Sequence, residues 1–160
     1  MTILANCEFV DLSKQPPDSP LIYKLKHFLK QAQQKNWQQS DRVFLVVHQD
    51  RIVGYARLVP QENSAFWLRG LYVDPHWRNQ GIAANLIRSA ENALAVTEGG
   101  QIICFALEHL ERFYQRLEYQ PLDELQLQNI NPYLHTRFRQ AKENGKSWLL
   151  LRKHLQDCYR

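Results

Sequence analysis

The sequence predicts an α/β domain built on a mixed sheet, and three observations lead to that class. Short apolar runs bounded by turn residues are typical of buried strands, and they occur at residues 43–47, 101–107 and 147–153. Segments with helical spacing lie between such runs, in the order strands, helix, strands, helix, strand, helix, strands. Residues 66–95 join a strand, a tight basic turn and a helix in one continuous stretch.

The elements before that stretch are predicted from caps and chain breaks. Residues 3–10 form a candidate first strand. Ser19 suits the N-cap of a helix with Pro20 at its first position. The apolar stripe of this helix is Leu21, Leu25, Phe28, Leu29 and Ala32. A polar loop with Trp37 as its anchor and a two-stranded hairpin follow, at residues 33–40, 43–47 and 52–59.

Within the central stretch, residues 66–73 have the composition of a strand, which ends at Asp74 and Pro75 because proline has no N–H for a sheet ladder. From Gly81 onward apolar residues recur at helical spacing, and polar residues are predicted on the opposite side of the helix. The apolar set is Ile82, Leu86, Ala90 and Leu94, with Ile87 and Ala93 beside them. The polar set is Asn85, Arg88, Ser89 and Glu91. Residues 97–100 end the helix.

The elements after the central stretch are predicted less sharply. Residues 109–117 form a short helix that faces inward through Leu110, Phe113 and Leu117, and residues 119–122 begin a further strand. Residues 123–146 have the weakest pattern, although a helix at 132–144 with Gly145 as its cap fits their middle. The predicted organisation is a single domain over residues 1–160.

Composition narrows the function class. A content of 44% hydrophobic and 22% charged residues is ordinary for a globular protein, and no apolar run has the length of a membrane span. The N-terminus lacks the pattern of a signal peptide. Cys7, Cys104 and Cys158 are too few for a disulfide framework, which favours a reducing compartment and a cytoplasmic protein. No Cys-x-x-Cys or His-Glu-x-x-His motif supports a metal site.

The basic balance of the chain fits two kinds of partner. The formal net charge is +4, which suits either a nucleic acid or a small anionic ligand. The charges are dispersed along the chain rather than clustered, so the small ligand is favoured. We therefore expect no nucleic-acid and no membrane partner. The oligomeric state is left open, with a homodimer among the options.

The turn in the central stretch has the chemistry of an anion site. Its sequence is Arg78-Asn79-Gln80-Gly81-Ile82-Ala83. The first N–H groups of a helix have no intrahelical partners and carry partial positive charge, so a phosphate binds well there. Gly81 permits close approach of the backbone, and the small Ala83 and Ala84 leave room. The alternative is an ordinary helix N-terminus that binds nothing.

This turn resembles the R/Q-x-x-G-x-G/A signature of the GNAT superfamily, the acyl-CoA-dependent N-acyltransferases. The resemblance implies the GNAT fold, a mixed, mostly antiparallel central sheet flanked by helices and splayed at the fourth and fifth strands. By order of elements it covers about residues 43–153, and the first 40 residues fit loosely. It also implies acetyl-CoA as the acyl donor, used as a substrate, without a metal.

The resemblance assigns the cofactor contacts. The pantetheine arm would bond the backbone of Leu71, Tyr72 and Val73, whose side chains could equally pack in the core. The diphosphate would accept hydrogen bonds from main-chain N–H groups of Asn79, Gln80, Gly81, Ile82, Ala83 and Ala84. Arg78 would add a charge-assisted bond, or it is a solvated surface arginine.

Residues 108–121 carry a second match, to the fYxxxGF segment that follows the fifth strand in the family. The resemblance maps the family's tyrosine onto Tyr114, as the general acid that protonates the departing thiolate. The alternative is an aromatic packed on the sheet with its O–H bonded elsewhere. Glu118 stands where the family often has glycine, so a tight turn there must form without one.

A general base is harder to assign, because an ammonium must lose a proton before it can attack a thioester. Family members often use a Glu or His on the fourth strand, where this chain has Trp67 and Arg69, and Glu62 lies too far back. The remaining candidates are Glu108 and the histidines His109 and His76. For all three, the alternative is an ordinary solvated or edge-covering side chain. A water chain without a dedicated base is also open.

The acceptor is predicted only as a primary amine. Arg69 could indicate an anionic acceptor. A basic cluster of His135, Arg137 and Arg139 with Tyr133 and Phe138 could line the acceptor pocket or be a solvated helix face. The function predicted is transfer of an acetyl group to that amine by direct attack in a ternary complex. The rival reading is a non-catalytic, acyl-CoA-binding GNAT-like module.

Overall fold

The computed structural model of the chain describes residues 6–97 and 99–155. The first part of the predicted strand at 3–10, Glu98 in the predicted helix end, and Cys158 lie outside the described residues. The strand itself is present as β1, Cys7–Asp11.

Seven strands form one sheet in the described part of the chain, in the order β1-β2-β3-β4-β5-β7-β6. Their bounds after β1 are Arg42–His48 for β2, Arg51–Pro60 for β3, Ala65–Val73 for β4, Gln101–Ala106 for β5, Gln120–Pro121 for β6 and Leu149–His154 for β7. The pair β4–β5 is parallel, with a register from Ala65–Gln101 to Leu68–Cys104. The sheet is otherwise mostly antiparallel, which confirms the predicted mixed sheet.

Helices flank this sheet. They are α1 at Pro20–Gln31, α2 at Ile82–Thr97, α3 at Glu111–Arg116, α4 at Glu124–Ile130 and α5 at Pro132–Glu143. The predicted start of α1 is confirmed, because the Ser19 side chain accepts from the N–H of Leu21 at 3.2 Å. The sequence analysis did not predict α4, although Asp123 and Gln126 form a capping box at its start.

The described residues group into two compact units. The first contains the chain up to Val59 together with Arg69–Ala93, and the second contains Pro60–Leu68 and the chain from Leu94 onward. The prediction of a single domain is neither supported nor contradicted by this grouping and stays a prediction.

The first unit has its core where α1 covers the strands β1 to β3. Leu25 and Leu29 of α1 are fully buried against Leu45 and Tyr55. Trp37 packs against the same cluster, as its predicted role as a loop anchor requires. Near Gly54 lies the side chain of Ile82, 3.6 Å from where a Cβ on that glycine would be, so α2 also packs against β3.

One polar residue of α2 contradicts the predicted helix face. Glu91 is only 1% exposed, although it was predicted on the solvated side. The reason is helical geometry, because Glu91 follows Ile87 by four residues and precedes Leu94 by three. It therefore shares the buried stripe of these apolar neighbours.

The second unit has an aromatic core beside β5. Phe105 contacts Trp67 of β4 at a ring-centroid distance of 5.2 Å and Phe138 of α5 at 5.1 Å. Trp148 stacks on the same ring at 6.3 Å. The buried Asn131 starts α5, since its side chain accepts from the N–H of Leu134 at 3.0 Å. Gly145 ends the helix in the left-handed region at φ 84°, as predicted.

Candidate functional site

The predicted anion-binding turn begins with a braced connection after β4. Asp74 donates its N–H to the carbonyl of Val53 at 2.8 Å, which ties the end of β4 to β3. Its carboxylate then accepts from the N–H of His76 at 2.9 Å and starts a short 3-10 helix, Pro75–Trp77. The chain therefore enters the turn from a fixed position.

Arg78 is bound to the strand that precedes it. Its Nε donates to the carbonyl of Val73 at 2.9 Å, and its guanidinium lies 5.2 Å from the ring centroid of Tyr72. The arginine was predicted either to bind a phosphate or to be solvated. In the structure it fastens the turn to β4, and the Val73 carbonyl is already occupied.

The turn itself uses two left-handed residues. Asn79 has φ 62° and Gly81 has φ 80°, values that asparagine and glycine tolerate better than other residues. The Gly81 carbonyl accepts from the N–H of Asn85 at 3.1 Å and from its side-chain amide at 2.8 Å. The N–H groups of Ile82, Ala83 and Ala84 precede this first helical bond, so they are the ones that a helix start leaves for a ligand.

A further atom in the turn lacks a partner. The Oε1 of Gln80 is buried and has no hydrogen bond among the described residues. Such atoms are costly unless something pairs with them. Because a phosphate offers only acceptors, this oxygen does not itself favour an anion, and the fit to a phosphate rests on the main-chain N–H groups of the turn.

The strand half next to the turn is the accessible part of β4. Its first four residues are buried, Arg69 is exposed, and Gly70, Leu71 and Tyr72 are half-buried before Val73 closes the core again. The Leu71 side chain is therefore not a full member of the core. Two of the three residues predicted to contact pantetheine, Leu71 and Tyr72, are thus half-buried, and Val73 is buried.

Tyr114 lies in the second unit, on α3. Its ring is 4% exposed and packs edge-on against Tyr119 at 5.5 Å. Its side chain is hydrogen-bonded to Cys104, and burial together with this neighbour raises the pKa of Tyr114 well above its ordinary range. Burial also raises the pKa of Cys104 to about 12. Both groups are therefore protonated at neutral pH, and the packed arrangement matches the alternative predicted for Tyr114.

Glu118 makes its tight turn in the left-handed region, at φ 70°. The turn is closed by hydrogen bonds from the Glu118 N–H to the Gln115 carbonyl at 2.9 Å and from the Tyr119 N–H to the Tyr114 carbonyl at 3.0 Å. The chain thus forms the turn that the family often builds with glycine.

The predicted base candidates are all exposed. Glu108 and His109 lie in a 3-10 helix, Glu108–Leu110, of the second unit, and His76 lies in the turn of the first. Their exposure agrees with the ordinary reading, and their part in proton transfer stays a prediction.

The basic residues of α5 do not act as one cluster. Arg137 is half-buried with its guanidinium 5.8 Å from the ring centroid of Trp67. Arg139 instead approaches Glu124 of α4 at 3.5 Å with more than half of its side chain exposed. Tyr133 is 54% exposed. Arg137 is thus held by the aromatic core, whereas Arg139 pairs with α4.

Two absences hold for the described residues. No group of three potential metal ligands occurs among them. None of their helices is long and apolar enough to cross a membrane.

Sequence reasoning missed a residue that supports one of these groups. Cys104 was interpreted only as one of three cysteines. No spacing rule links Cys104 to Tyr114, because the pair forms only when separate elements pack together.

Comparison with known proteins decides the family. Residues 14–136 match the family described as acetyltransferase (GNAT) domain. This chain belongs to the GNAT acetyltransferase family. The matched residues begin before residue 43, so they include part of the N-terminal region that was expected to fit loosely. No curated protein matches the chain.

Solved GNAT structures share the fold at low identity. An aminoglycoside 6'-N-acetyltransferase complexed with coenzyme A has a TM-score of 0.67 at 15% identity, covering 92% of this chain and 97% of that one. The aminoglycoside 6'-N-acetyltransferase from Enterococcus faecium gives the same values. A GNAT family acetyltransferase from Elizabethkingia anophelis with acetyl-CoA bound has a TM-score of 0.62 at 14% identity, covering 93% and 98%. These similarities support the fold alone.

Proposed function

We propose that this GNAT protein transfers an acetyl group from acetyl-CoA to a primary amine by direct attack in a ternary complex. The observation that carries the proposal is the braced turn from Arg78 to Ala84, with left-handed Gly81 and main-chain N–H groups at a helix start. The similarity to proteins crystallised with coenzyme A or acetyl-CoA supports the choice of donor.

The proposed roles belong to the turn, the strand and the tyrosine named above. The N–H groups from Asn79 to Ala84 bind the diphosphate, and the Leu71–Val73 backbone aligns the thioester. Tyr114 gives its proton to the departing thiolate. The amine nitrogen bonds to the acyl carbon and loses a proton to Glu108 or to water, the C–S bond breaks, and the sulfur takes the electron pair and the phenol proton. The phenolate then regains a proton from water. Much of the rate comes from positioning two bound reactants.

The base and the acceptor are the two remaining parts of the proposal. Glu108 is the proposed base. Its carboxylate is exposed to solvent, so a water chain is the alternative. An aminoglycoside is one acceptor to test, because two similar structures are aminoglycoside 6'-N-acetyltransferases. The cytoplasmic location stays a prediction.

The experiment measures acetyl-CoA binding by calorimetry and thiol release with a panel of amines: an aminoglycoside, a polyamine, an amino acid and a peptide N-terminus. Tyr114→Phe should lower turnover by about 10²- to 10⁴-fold, the usual contribution of general acid–base catalysis. Binding of acetyl-CoA should be unchanged, because the phenol lies outside the predicted diphosphate contacts. Tyr23→Phe, which changes a ring that is 77% exposed, is the matched control.

A non-catalytic module is the second candidate, and the Tyr114–Cys104 hydrogen bond favours it because that phenol is already engaged. Acetyl-CoA binding without thiol release on any amine would support this alternative. Unchanged turnover in Tyr114→Phe would remove the role of the phenol. A lack of affinity for acetyl-CoA would overturn both candidates.

A further inference from the structure

The hydroxyl of Tyr55 lies directly over the backbone of β4. A Cβ built on Gly70 would be 2.6 Å from the Tyr55 hydroxyl oxygen and 3.2 Å from the carbon that bears it. These distances are too short for a real side chain. Glycine at position 70 thus leaves the space that the phenol occupies.

This phenol is held rigidly but has no protein partner. Tyr55 is 2% exposed, and its ring packs edge-on against Phe28 at 6.4 Å and an interplanar angle of 75°. No hydrogen bond of its hydroxyl is seen among the described residues, and its oxygen is not one of their fully buried atoms that lack a partner. Buried tyrosines normally pair their hydroxyl, and a phenylalanine would fill the same ring space, so core packing alone does not account for the oxygen.

The location of this oxygen points to the reacting group. Gly70 immediately precedes the Leu71–Val73 backbone, which aligns the thioester if the proposed function is correct. This is also where β4 changes from buried to half-buried residues. A thioester on that backbone would lie within reach of the Tyr55 hydroxyl.

The Tyr55 phenol is a neutral hydrogen-bond donor beside a compensated ion pair. Burial raises the pKa of Tyr55, so the phenol keeps its proton and can donate it in a hydrogen bond, while Arg57 acts on the same pKa in the opposite direction. The Arg57 guanidinium is fixed by Asn36 at 2.9 Å and by Asp41 at 3.6 Å. Because the buried Asp41 carboxylate pairs with this guanidinium, the group that can stabilise a developing oxyanion is the neutral phenol, acting as a hydrogen-bond donor.

We infer that the Tyr55 hydroxyl donates a hydrogen bond to the carbonyl oxygen of the acyl thioester and strengthens it as that oxygen becomes negative. When the amine nitrogen bonds to the acyl carbon, the carbonyl electron pair moves to the acyl oxygen. The Tyr55 hydroxyl donates a hydrogen bond to that oxygen and keeps its proton. When the carbonyl re-forms, the C–S bond breaks and the thiolate leaves. Tyr55 is therefore a catalytic residue, and this role rests on the proposed function.

The first test needs no acceptor. Acetyl-CoA labelled with ¹³C at the carbonyl is bound to the wild-type protein and to Tyr55→Phe, and the carbonyl stretch is measured by isotope-edited infrared spectroscopy. Loss of a hydrogen bond should move the stretch to higher frequency in Tyr55→Phe, with the calorimetric affinity for acetyl-CoA within about threefold of wild type. Tyr23→Phe, on an exposed position of α1, should keep the wild-type frequency.

The second test measures turnover with the amine that the wild-type protein uses fastest. Tyr55→Phe should lower kcat by about 10²-fold, the lower end of the effect of removing one oxyanion donor, and leave the KM for acetyl-CoA unchanged. Gly70→Ala should lower kcat similarly, because the added methyl displaces the hydroxyl. In the Tyr55→Phe background the same alanine should cost little more, since the 2.6 Å contact is gone.

The outcomes separate this inference from the proposed function. Absence of acetyl-CoA binding by the wild-type protein would overturn both. Binding with the same carbonyl frequency in wild type and Tyr55→Phe would overturn the role of Tyr55 alone. Tyr55→Phe could instead lower both the affinity for acetyl-CoA and the melting temperature, while the effects of Tyr55→Phe and Gly70→Ala on kcat simply add. That result would also overturn the role of Tyr55, because it is what a purely structural residue gives.

Discussion

At the scale of single residues, the tight turn at Glu118 has a conformational free-energy cost that can be assigned to one residue. Glu118 adopts φ 70°, a conformation that costs a non-glycine residue about 1 kcal/mol, yet the turn carries two backbone hydrogen bonds that position Tyr119 after Tyr114. The exposed Glu118 side chain has no visible compensating contact. The family resemblance located this position correctly, and the sequence alone could not say whether the turn would survive without glycine.

We therefore expect Glu118→Gly to raise the free energy of unfolding by about 0.5–1 kcal/mol, as measured by urea denaturation, because glycine adopts this conformation without a clash. Gly145→Ala is the matched reverse change, at φ 84° with open space around a built Cβ, and should destabilise the protein by a similar amount. A decrease in stability for Glu118→Gly would show that the glutamate side chain contributes more than the backbone conformation costs.

At the scale of elements, the turn between β4 and α2 combines features that the sequence predicted with features that it could not. The strand, the break at Asp74 and Pro75, and the helix start near Gly81 followed from local propensity and were confirmed. The clip from Arg78 to Val73 and the unpaired Gln80 oxygen depend on side-chain conformation, which spacing does not encode. α4 was not predicted because a helix of seven residues is too short to show a clear helical period.

Gly81→Ala tests the turn as a ligand site. Alanine at φ 80° is strained and would shift the N–H groups that precede the first helical bond, so we expect about tenfold weaker binding of acetyl-CoA by calorimetry. Gly99→Ala is the control, because Gly99 has φ 66° with nothing within 4 Å of a built Cβ and lies after α2. Equal losses of affinity in both variants would indicate a general destabilisation instead.

At the scale of the whole molecule, the free energy of unfolding should decrease as the pH becomes alkaline. The buried groups Tyr55, Cys104 and Tyr114 each have a pKa raised by burial. Unfolding exposes them, and the pKa returns to about 8.5 for a thiol and about 10 for a phenol. Because each folded pKa is the higher one, the stabilisation is fully present below these unfolded values and is lost as the pH rises towards the folded ones.

We expect the free energy of unfolding, measured in urea, to fall progressively from about pH 9 to about pH 11, within the window set for Cys104 by its folded pKa of about 12. Cys104→Ser removes one titrating group and should make the decline shallower, whatever its effect on absolute stability. Tyr23→Phe should keep the wild-type slope. A slope in Cys104→Ser identical to wild type would contradict the assignment to the thiol.

By itself, the sequence determined the class of the fold, the order of most elements and the turn that carries the family signature, since these depend on local periodicity, caps and breaks. Only the tertiary structure decided that Glu91 is buried, that the Tyr114 phenol meets Cys104, and that the Tyr55 phenol occupies the space above Gly70. Such contacts join residues far apart in the chain, and their formation depends on how whole elements pack, which no local pattern of residues specifies.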